Sequence, residues 1–346
     1  MTKLFNKYGA TTANWRASLR RNHRRTFFVI GLFFLIYLAL GILIDLYIYS
    51  GSNLEVPLSR IFMALITFQV IPYATLITAA VALVSLWVTF AFHNKLILLG
   101  AEYHQVMADT ARDHDEQQLY NVIEEMKVAA GLQFMPKVFI IEADYMNAFA
   151  SGYSEKSAMV AITRGLMNKL NRDELQAVMA HELSHIRHMD IKLTLMATVL
   201  ANIMLIVIDV LFWGVFFGRN QREGSGNWLV IVIIVLRFVL PLITVLLMLF
   251  LSRTREYMAD AGAVELMRTN EPLARALLKI HNDHETNKEQ YAQDYAKTPH
   301  ESVRREAYIF DPMRAGIEAK SAVSDFFSTH PGIKKRLSAI GFTLKS

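Results

Sequence analysis

The sequence has 346 residues, of which 53% are hydrophobic, and a formal net charge of +5. This hydrophobic fraction exceeds that of an ordinary soluble domain and indicates that part of the chain lies in a lipid bilayer. The chain has no cysteine, which excludes disulfides, zinc–thiolate sites and iron–sulfur clusters, so any metal site must use histidine and carboxylate ligands.

The first 25 residues form a basic segment, with seven lysines and arginines and no acidic residue. Because the segment abuts an apolar run, it is typical of the cytoplasmic flank of a membrane span, and we expect no nucleic-acid partner. That run, Thr26 to Ile44, could also be a cleavable signal peptide. It is about as long as a full span and no small-residue cleavage site follows it, so we interpret it as a retained helix.

Four apolar runs are long enough to cross a bilayer. They are Thr26 to Ile44, Ile61 to Phe92, Leu193 to Gly218 and Trp228 to Leu251. The second is longer than one span needs, and Pro72 is its expected kink. With the basic N-terminus in the cytoplasm, both termini and both long polar stretches are predicted to be cytoplasmic.

This pattern predicts a multi-pass membrane protein, mainly α-helical with a small β-sheet, whose cytoplasmic domain is divided by the third and fourth spans. The predicted segments are a basic N-terminus, spans one and two, a first polar part, spans three and four, and a second polar part. Their limits are residues 1–25, 26–92, 93–192, 193–251 and 252–346.

The first polar part has mixed helix and strand signals. A helix is predicted near Asp115 to Ala130, followed by buried strands at Lys137 to Ile141 and Ala158 to Thr163. Asn171 and Glu174 then form a possible capping box at the start of a further helix.

The second polar part begins with a helix from about Ser252 to Met267, and another helix is expected from Pro272 to Asn282. The segment 284–302 is polar and weakly periodic, so we expect a mobile loop or an exposed helix there.

The helix that follows Asn171 carries the sequence His181-Glu182-Leu183-Ser184-His185, which matches the pattern H-E-x-x-H. Residues four apart on a helix share a face, so both imidazoles can bind one zinc ion while Glu182 serves as general base. His188 is more simply a surface residue than a fourth ligand, because a fourth protein ligand would close a catalytic site.

A catalytic zinc takes three protein ligands, and Glu256 is the best candidate for the third. Asp260 lies one turn later on the same predicted helix and would orient a ligand imidazole by accepting its distal N–H. An antiparallel hairpin of spans three and four would bring Glu256 back to the helix that carries His185. The zinc is thereby expected at the cytoplasmic edge of the bilayer.

Two charged residues fall inside the membrane runs. Asp209 and Arg237 reach a similar depth in such a hairpin, and charges in lipid usually pair or line a wet cavity. We predict an ion pair that holds the hairpin together, and the alternative is a polar groove for substrate segments.

The HExxH string with Asp190, together with the string from Ser252 to Asp260, is similar to the HtpX family of membrane zinc peptidases, which is related to the C-a-a-X prenyl-protein proteases. The strings Asn147 to Gly152 and Thr329-His330-Pro331 also resemble segments of that family. The resemblance implies a gluzincin-like domain acting at the bacterial inner membrane, and it places Asn147 beside the substrate on an edge strand and His330 near the catalytic centre. Without the resemblance, Asn147 would be interpreted as a turn residue and His330 as a helix N-terminal residue.

The sequence therefore predicts a zinc-dependent endopeptidase, with one zinc per chain, that cleaves misfolded or damaged membrane proteins as part of quality control. Three alternatives remain at this stage: a protease that processes a specific or prenylated protein, a membrane scaffold with a structural zinc, and a transport protein. A scaffold has no need for Glu182, and a transporter would usually show inverted repeats.

Overall fold

The structure is a computed structural model of the full chain, and it describes residues 8–10, 15–52, 56–97, 102–152, 154–217, 227–297, 308–310 and 330–344. The chain divides into two compact units. The first unit comprises residues 1–26, 92–192 and 251–346, and the second comprises residues 27–91 and 193–250.

A four-stranded mixed sheet lies in the first unit. Its strands are β2 (Tyr103–Val106), β3 (Lys137–Ile141), β4 (Ala148–Ser151) and β5 (Met159–Thr163). Their order is β2-β3-β5-β4, with β3 and β5 parallel and both outer pairs antiparallel. The predictions of β3 and β5 are confirmed. Both strands are continuous apolar runs, and nearly all of their residues are buried. Strand β4 is an edge strand.

Helices cover the sheet and carry the candidate ligands. The helices of this region are α4 (His114–Ala130), α5 (Arg164–Lys169) and α6 (Arg172–Arg187). The capping box that opens α6 is confirmed, because the Asn171 side chain accepts from the N–H of Glu174 at 2.9 Å and the Glu174 side chain accepts from the N–H of Asn171 at 3.0 Å. The α6 helix is buried along most of its length, with Leu175, Val178 and Met179 in the main apolar core.

The second unit contains long apolar helices, some of which begin or end in the first unit. The helices concerned are α1 (Trp15–Ser52), α2 (Leu58–Ile66), α3 (Tyr73–Ile97), α7 (Asp190–Phe217) and α8 (Asn227–Met267). Within the described residues, the stretches Leu193–Gly214 and Trp228–Met267 are long and apolar enough to cross a membrane, whereas those at Phe34–Ser50 and Tyr73–Thr89 are shorter. The helix predicted from Ser252 is the uninterrupted continuation of the fourth apolar run.

The second apolar run is not one kinked helix, which corrects the prediction made for it. It breaks between α2 and α3, where Phe68 has a left-handed backbone with φ 55° and Pro72 immediately precedes α3. The buried Asp45 carboxylate caps the new helix start, because it accepts from the N–H groups of Ala74 and Thr75 at 2.8 and 3.0 Å. Proline cannot donate to the preceding turn, so the chain restarts its helix there.

The predicted ion pair between Asp209 and Arg237 is confirmed. The Nε atom of Arg237 lies 2.6 Å from Oδ1 of Asp209. Two opposite charges on neighbouring apolar helices satisfy each other in a region where either charge alone would be costly.

The described residues of the C-terminal part of the first unit form more regular secondary structure than the polar sequence indicates. Helix α9 (Glu271–Thr286) is followed by α10 (Lys288–Lys297), and the region ends with α11 (Ile333–Ala339) and strand β6 (Phe342–Leu344). The segment 284–302 is helical in its described residues up to 297, which is one of the two alternatives expected there, and several of these residues are exposed. The helix is not wholly exposed, however, because His284, Tyr291 and Tyr295 are buried, and the two tyrosines join a cluster with side chains of the sheet. Residues 298–302 lie outside the described residues.

The N-terminal segment also contains a strand that sequence patterns did not predict. Strand β1 (Tyr8–Ala10) pairs antiparallel with β6 in the register Gly9 opposite Thr343. This pairing joins the two ends of the chain within the first unit.

Candidate metal centre

Two histidines and a glutamate from separate helices converge in the first unit. His181 and His185 lie one turn apart on α6, and Glu256 projects from α8. Their donor atoms lie within 4.8 Å of one another, with 3.3 Å between the two Nε2 atoms. Glu256 places Oε2 at 3.8 Å from Nε2 of His181 and Oε1 at 3.7 Å from Nε2 of His185. The structure thus brings together the three predicted ligands.

A close helix crossing makes this convergence possible. A Cβ atom added to Gly262 of α8 would lie 2.5 Å from Oγ and 2.9 Å from Cβ of Ser184 on α6. The Ser184 hydroxyl donates to the carbonyl of Ala180 at 2.7 Å and so stays against its own helix. The lack of a side chain at Gly262 lets α8 approach the face of α6 that carries the histidines.

A carboxylate lies beside the Nδ1 atom of each histidine. The Nδ1 atom of His181 lies 3.1 Å from Oδ1 of Asp260, and Nδ1 of His185 lies 3.0 Å from Oδ2 of Asp190. When Nδ1–H faces a carboxylate, the lone pair of Nε2 is left to face inward. Two such lone pairs 3.3 Å apart, with a carboxylate beside them, repel one another unless a cation lies between them. The donor set therefore fits a metal ion.

The pKa values of the three candidate ligands are shifted in different directions. Burial lowers the pKa of His181, and the hydrogen bond to Asp260 offsets this in part. Burial also acts to lower the pKa of His185, but the hydrogen bond to Asp190 and the charge of Glu256 outweigh it and raise that pKa. Burial would raise the pKa of Glu256, but its contacts with His330 and the charge of Arg336 hold that pKa well below its ordinary value. Glu256 is thus an anionic candidate ligand.

Glu182 lies between the two histidines in sequence and is 1% exposed. Burial raises its pKa to about 7, and the charge of Glu256 adds to that effect, whereas His185 and the backbone N–H of Ala150 lower it. A carboxyl group with a pKa near neutrality can both accept and release a proton, as a general acid–base group must.

The C-terminal part of the unit supplies two further groups. The buried Nδ1 atom of His330 lies 3.2 Å from Oε2 of Glu256, which agrees with the expectation that His330 approaches the centre. The guanidinium of Arg336 contacts both oxygens of Asp260 at 2.6 and 2.9 Å and lies 3.6 Å from Glu256. It also donates to the carbonyl of Ile309 at 2.7 Å.

Asn147 lies immediately before β4 and is fully buried. Its side-chain N–H donates to the carbonyl of Phe310 at 3.0 Å and to the hydroxyl of Tyr295 at 3.1 Å, and its side-chain oxygen accepts from the N–H of Phe310 at 3.3 Å. These contacts are with the protein's own chain, so a direct contact of Asn147 with substrate remains a prediction.

Two contributors were missed from the sequence. Asp190 belongs to the string that resembles the HtpX family, and its position five residues after His185, at the start of the next helix, is the sequence signal for its contact with that histidine. Arg336 had no local signal, because its partner Asp260 is 76 residues away. His188 caps α6 and does not belong to the group of possible ligands found among the described residues.

Comparison with known proteins agrees with this geometry. The family model "Peptidase family M48" matches residues 113–342. A protein named Protease HtpX homolog from Helicobacter pylori (strain Shi470) is 38% identical over 327 residues, which is 94% of this chain and 98% of that protein. A protein of the same name from Listeria monocytogenes serotype 4a (strain HCC23) is 39% identical over 231 residues, covering 63% of this chain and 71% of that protein.

A solved structure, S. mikatae Ste24p, aligns with a TM-score of 0.49 and 17% identity, covering 96% of this chain and 67% of that one. The family match spans well over half of the chain, and the Helicobacter pylori relative matches the chain nearly end to end. The chain belongs to peptidase family M48 and is a metallopeptidase of the HtpX family that hydrolyses peptide bonds.

Proposed function

We propose that this metallopeptidase is a zinc-dependent endopeptidase that cleaves misfolded or damaged membrane proteins at the cytoplasmic face of a bacterial inner membrane. One observation carries the proposal: the donor atoms of His181, His185 and Glu256 lie within 4.8 Å of one another, and buried Glu182 directly follows His181 on the same helix. Two imidazoles and one carboxylate are a common ligand set for catalytic zinc, and they leave a coordination position open.

Each residue of the centre has its own role in the proposed reaction. His181, His185 and Glu256 would hold one zinc ion, which when bound supplies Lewis acidity to the attacking water and to the scissile carbonyl. Glu182 takes a proton from the attacking water and delivers it to the nitrogen of the leaving group. Asp260 and Asp190 fix the imidazole tautomers. His330 is the proposed donor to the oxygen of the carbonyl under attack.

The membrane assignment is supported by two helices of spanning length and by the basic residues that precede the first apolar run. In the four-span topology, both termini and the metal site lie in the cytoplasm, with residues 93–192 and 252–346 as the two parts of the catalytic domain. Membrane proteins are the proposed substrates, because an enzyme whose apolar helices lie in a bilayer shares that bilayer with them.

The test uses full-length protein purified in detergent and an unfolded protein as substrate. Chelation should abolish cleavage and one equivalent of zinc per chain should restore it, while Glu182→Gln should bind zinc normally and cleave at least about 100-fold more slowly. His188→Gln is the matched control and should retain both zinc and activity. Cleavage that persists in the zinc-loaded Glu182→Gln variant would contradict the mechanism, and it would leave the zinc with a purely structural role.

A further inference from the structure

All four hydrogen-bonding positions of the Asn147 side chain are occupied by the protein's own groups. Its amide nitrogen donates to the carbonyl of Phe310 at 3.0 Å and to the hydroxyl of Tyr295 at 3.1 Å. Its oxygen accepts from the N–H groups of Phe310 and Ala148 at 3.3 and 3.2 Å. A side-chain amide has two donors and two acceptor lone pairs, so a contact with substrate would require one of these buried bonds to break.

The same amide makes a two-point contact with the backbone of Phe310. It donates to the carbonyl and accepts from the N–H of that residue, as a neighbouring strand would do. The N–H of Ile309 donates in turn to the carbonyl of Ala148 at 2.9 Å. Asn147 and Ala148 therefore fix the backbone on both sides of the peptide bond between Ile309 and Phe310.

This peptide bond connects Asn147 with Arg336. No cis peptide bond occurs among the described residues, so the carbonyl of Ile309 and the N–H of Phe310 point in opposite directions from one plane. The N–H donates to Asn147, and the carbonyl accepts from Nη1 of Arg336 at 2.7 Å. Because the peptide unit is rigid, any rotation of its plane moves both groups together. The Asn147 amide thus sets the direction of the carbonyl that Arg336 uses.

Arg336 transmits this orientation to the metal centre. Its guanidinium is planar, so the direction of Nη1 also fixes Nε and Nη2. These two atoms donate to the carboxylate of Asp260 at 2.9 and 2.6 Å, and Asp260 lies 3.1 Å from Nδ1 of His181. Arg336 and Asp260 are 3% and 0% exposed, so their contacts are shielded from water. The path from Asn147 to His181 is continuous and buried.

We infer that Asn147 is a positioning residue that orients the imidazole of His181 through Arg336. This role differs from the contact with substrate that the family resemblance implies. The inference rests on the proposed function, because the orientation of His181 matters only if a metal ion occupies the centre. It means that Asn147 controls the binding of the metal and leaves the affinity for substrate unchanged.

The test measures zinc affinity by competition with a chromophoric chelator, using the full-length protein in detergent. Asn147→Ala should weaken zinc binding about 5- to 50-fold, the size of effect expected for a group that supports a metal ligand. Tyr295→Phe is the matched control, because it removes another bond of the Asn147 amide and leaves the Phe310 peptide untouched. The control should bind zinc within 2-fold of the wild type.

Two failures of this measurement have different meanings. Wild-type zinc affinity in Asn147→Ala would overturn the inference while leaving the proposed function intact. A wild-type protein that binds no zinc would instead contradict the proposed function.

A double change shows whether the effect passes through Arg336. In the Arg336→Lys background, Asn147→Ala should change the zinc affinity by less than 2-fold, because the link to Asp260 is already broken. If the two losses multiplied independently, Asn147 would act on the fold in general, and the inference would be overturned.

Cobalt substitution and kinetics distinguish positioning from substrate binding. The visible spectrum of the Co(II)-loaded protein should change in the same way in Asn147→Ala and Arg336→Lys, and should match the wild type in Tyr295→Phe. In zinc-saturated Asn147→Ala, KM for an unfolded protein substrate should stay within 2-fold of the wild-type value. A raised KM with unchanged zinc affinity and an unchanged cobalt spectrum would show a substrate contact and overturn the inference.

Asn147→Asp covers the case in which the alanine variant does not fold. It keeps the size of the side chain but places a carboxylate oxygen against the carbonyl of Phe310, where an N–H donated before. Repulsion should displace the same peptide and weaken zinc binding at least about 5-fold. Wild-type zinc affinity in folded Asn147→Asp would likewise overturn the inference.

Discussion

The guanidinium of Arg336 grips both carboxylate oxygens of Asp260, with Nη2 at 2.6 Å from Oδ1 and Nε at 2.9 Å from Oδ2. Asp260 in turn faces Nδ1 of His181 at 3.1 Å. A chain of charged contacts therefore links α11 to a candidate metal ligand on α6. Burial alone would raise the pKa of Asp260, but the charge of Arg336 lowers it. The ion pair with Arg336 therefore offsets the cost of burying the Asp260 carboxylate.

Arg336→Lys should weaken zinc binding about 10- to 100-fold, because lysine cannot donate to both oxygens and so leaves Asp260 free to rotate away from His181. The measurement is competition with a chromophoric chelator. Lys335→Arg, at an exposed neighbouring position, is the control and should bind zinc like the wild type. Wild-type zinc affinity in Arg336→Lys would show that the guanidinium of Arg336 does not position His181 through Asp260.

Gly262→Ala should destabilise the protein by about 1–3 kcal/mol and also weaken zinc binding, because the added methyl overlaps the Ser184 side chain and forces α8 from α6. The paired change Ser184→Gly should recover part of both losses. Gly214→Ala is a matched control, since nothing lies within 4 Å of the added atom there. Thermal unfolding and zinc titration report the two effects, and a neutral Gly262→Ala would contradict the close crossing.

Buried His284 should make the protein less stable in mild acid. Burial lowers the pKa of His284 to about 4, so the imidazole is neutral in the folded protein and becomes protonated on unfolding below its ordinary pKa of about 6.5. Its contribution is complete above that pKa and is lost as the pH falls towards 4, with a loss of about 2 kcal/mol by pH 5.

His284→Gln should remove this part of the pH dependence between pH 7.5 and 5, measured by thermal unfolding in detergent. His114→Gln, at an exposed histidine, should leave it intact. The same slope in His284→Gln as in the wild type would place the acid-sensitive group elsewhere.

The Asp209 and Arg237 pair should behave as a unit. Removing one partner by Asp209→Asn leaves an unpaired charge in an apolar helix, so the detergent-solubilised protein should unfold at a lower temperature than the wild type. The double change Asp209→Asn with Arg237→Gln should be less harmful than the single change. Equal unfolding temperatures for wild type and Asp209→Asn would remove the support for a structural pair.

Sequence patterns were sufficient for features that are local. The spacing of His181 and His185, the capping box at Asn171 and the apolar runs of β3 and β5 each depend on residues within a few positions of one another. Glu256 was reached because it follows a span that must return towards the first ligands. Asp260 is predicted to lie near the same site because it follows Glu256 by about one helical turn.

Features that depend on distant contacts could not be read in this way. Arg336 contacts Asp260 across 76 residues, and Phe310 contacts Asn147 across 163. The polar sequence of the helix Lys288–Lys297 does not indicate burial, because its only large side chains with apolar surface are those of Tyr291 and Tyr295, which join a buried aromatic cluster that no periodicity indicates. Pro72 predicts a kink in the second apolar run, whereas the structure has a break there. A proline indicates where a helix is interrupted but not how large the interruption is.

The most direct test of the metal centre compares the zinc content and activity of Glu256→Gln and Glu182→Gln, purified side by side. The account predicts that Glu256→Gln loses most of its zinc, whereas Glu182→Gln keeps one zinc per chain and loses at least about 100-fold in kcat/KM. Zinc retained at wild-type affinity in Glu256→Gln, or activity retained in zinc-loaded Glu182→Gln, would contradict it.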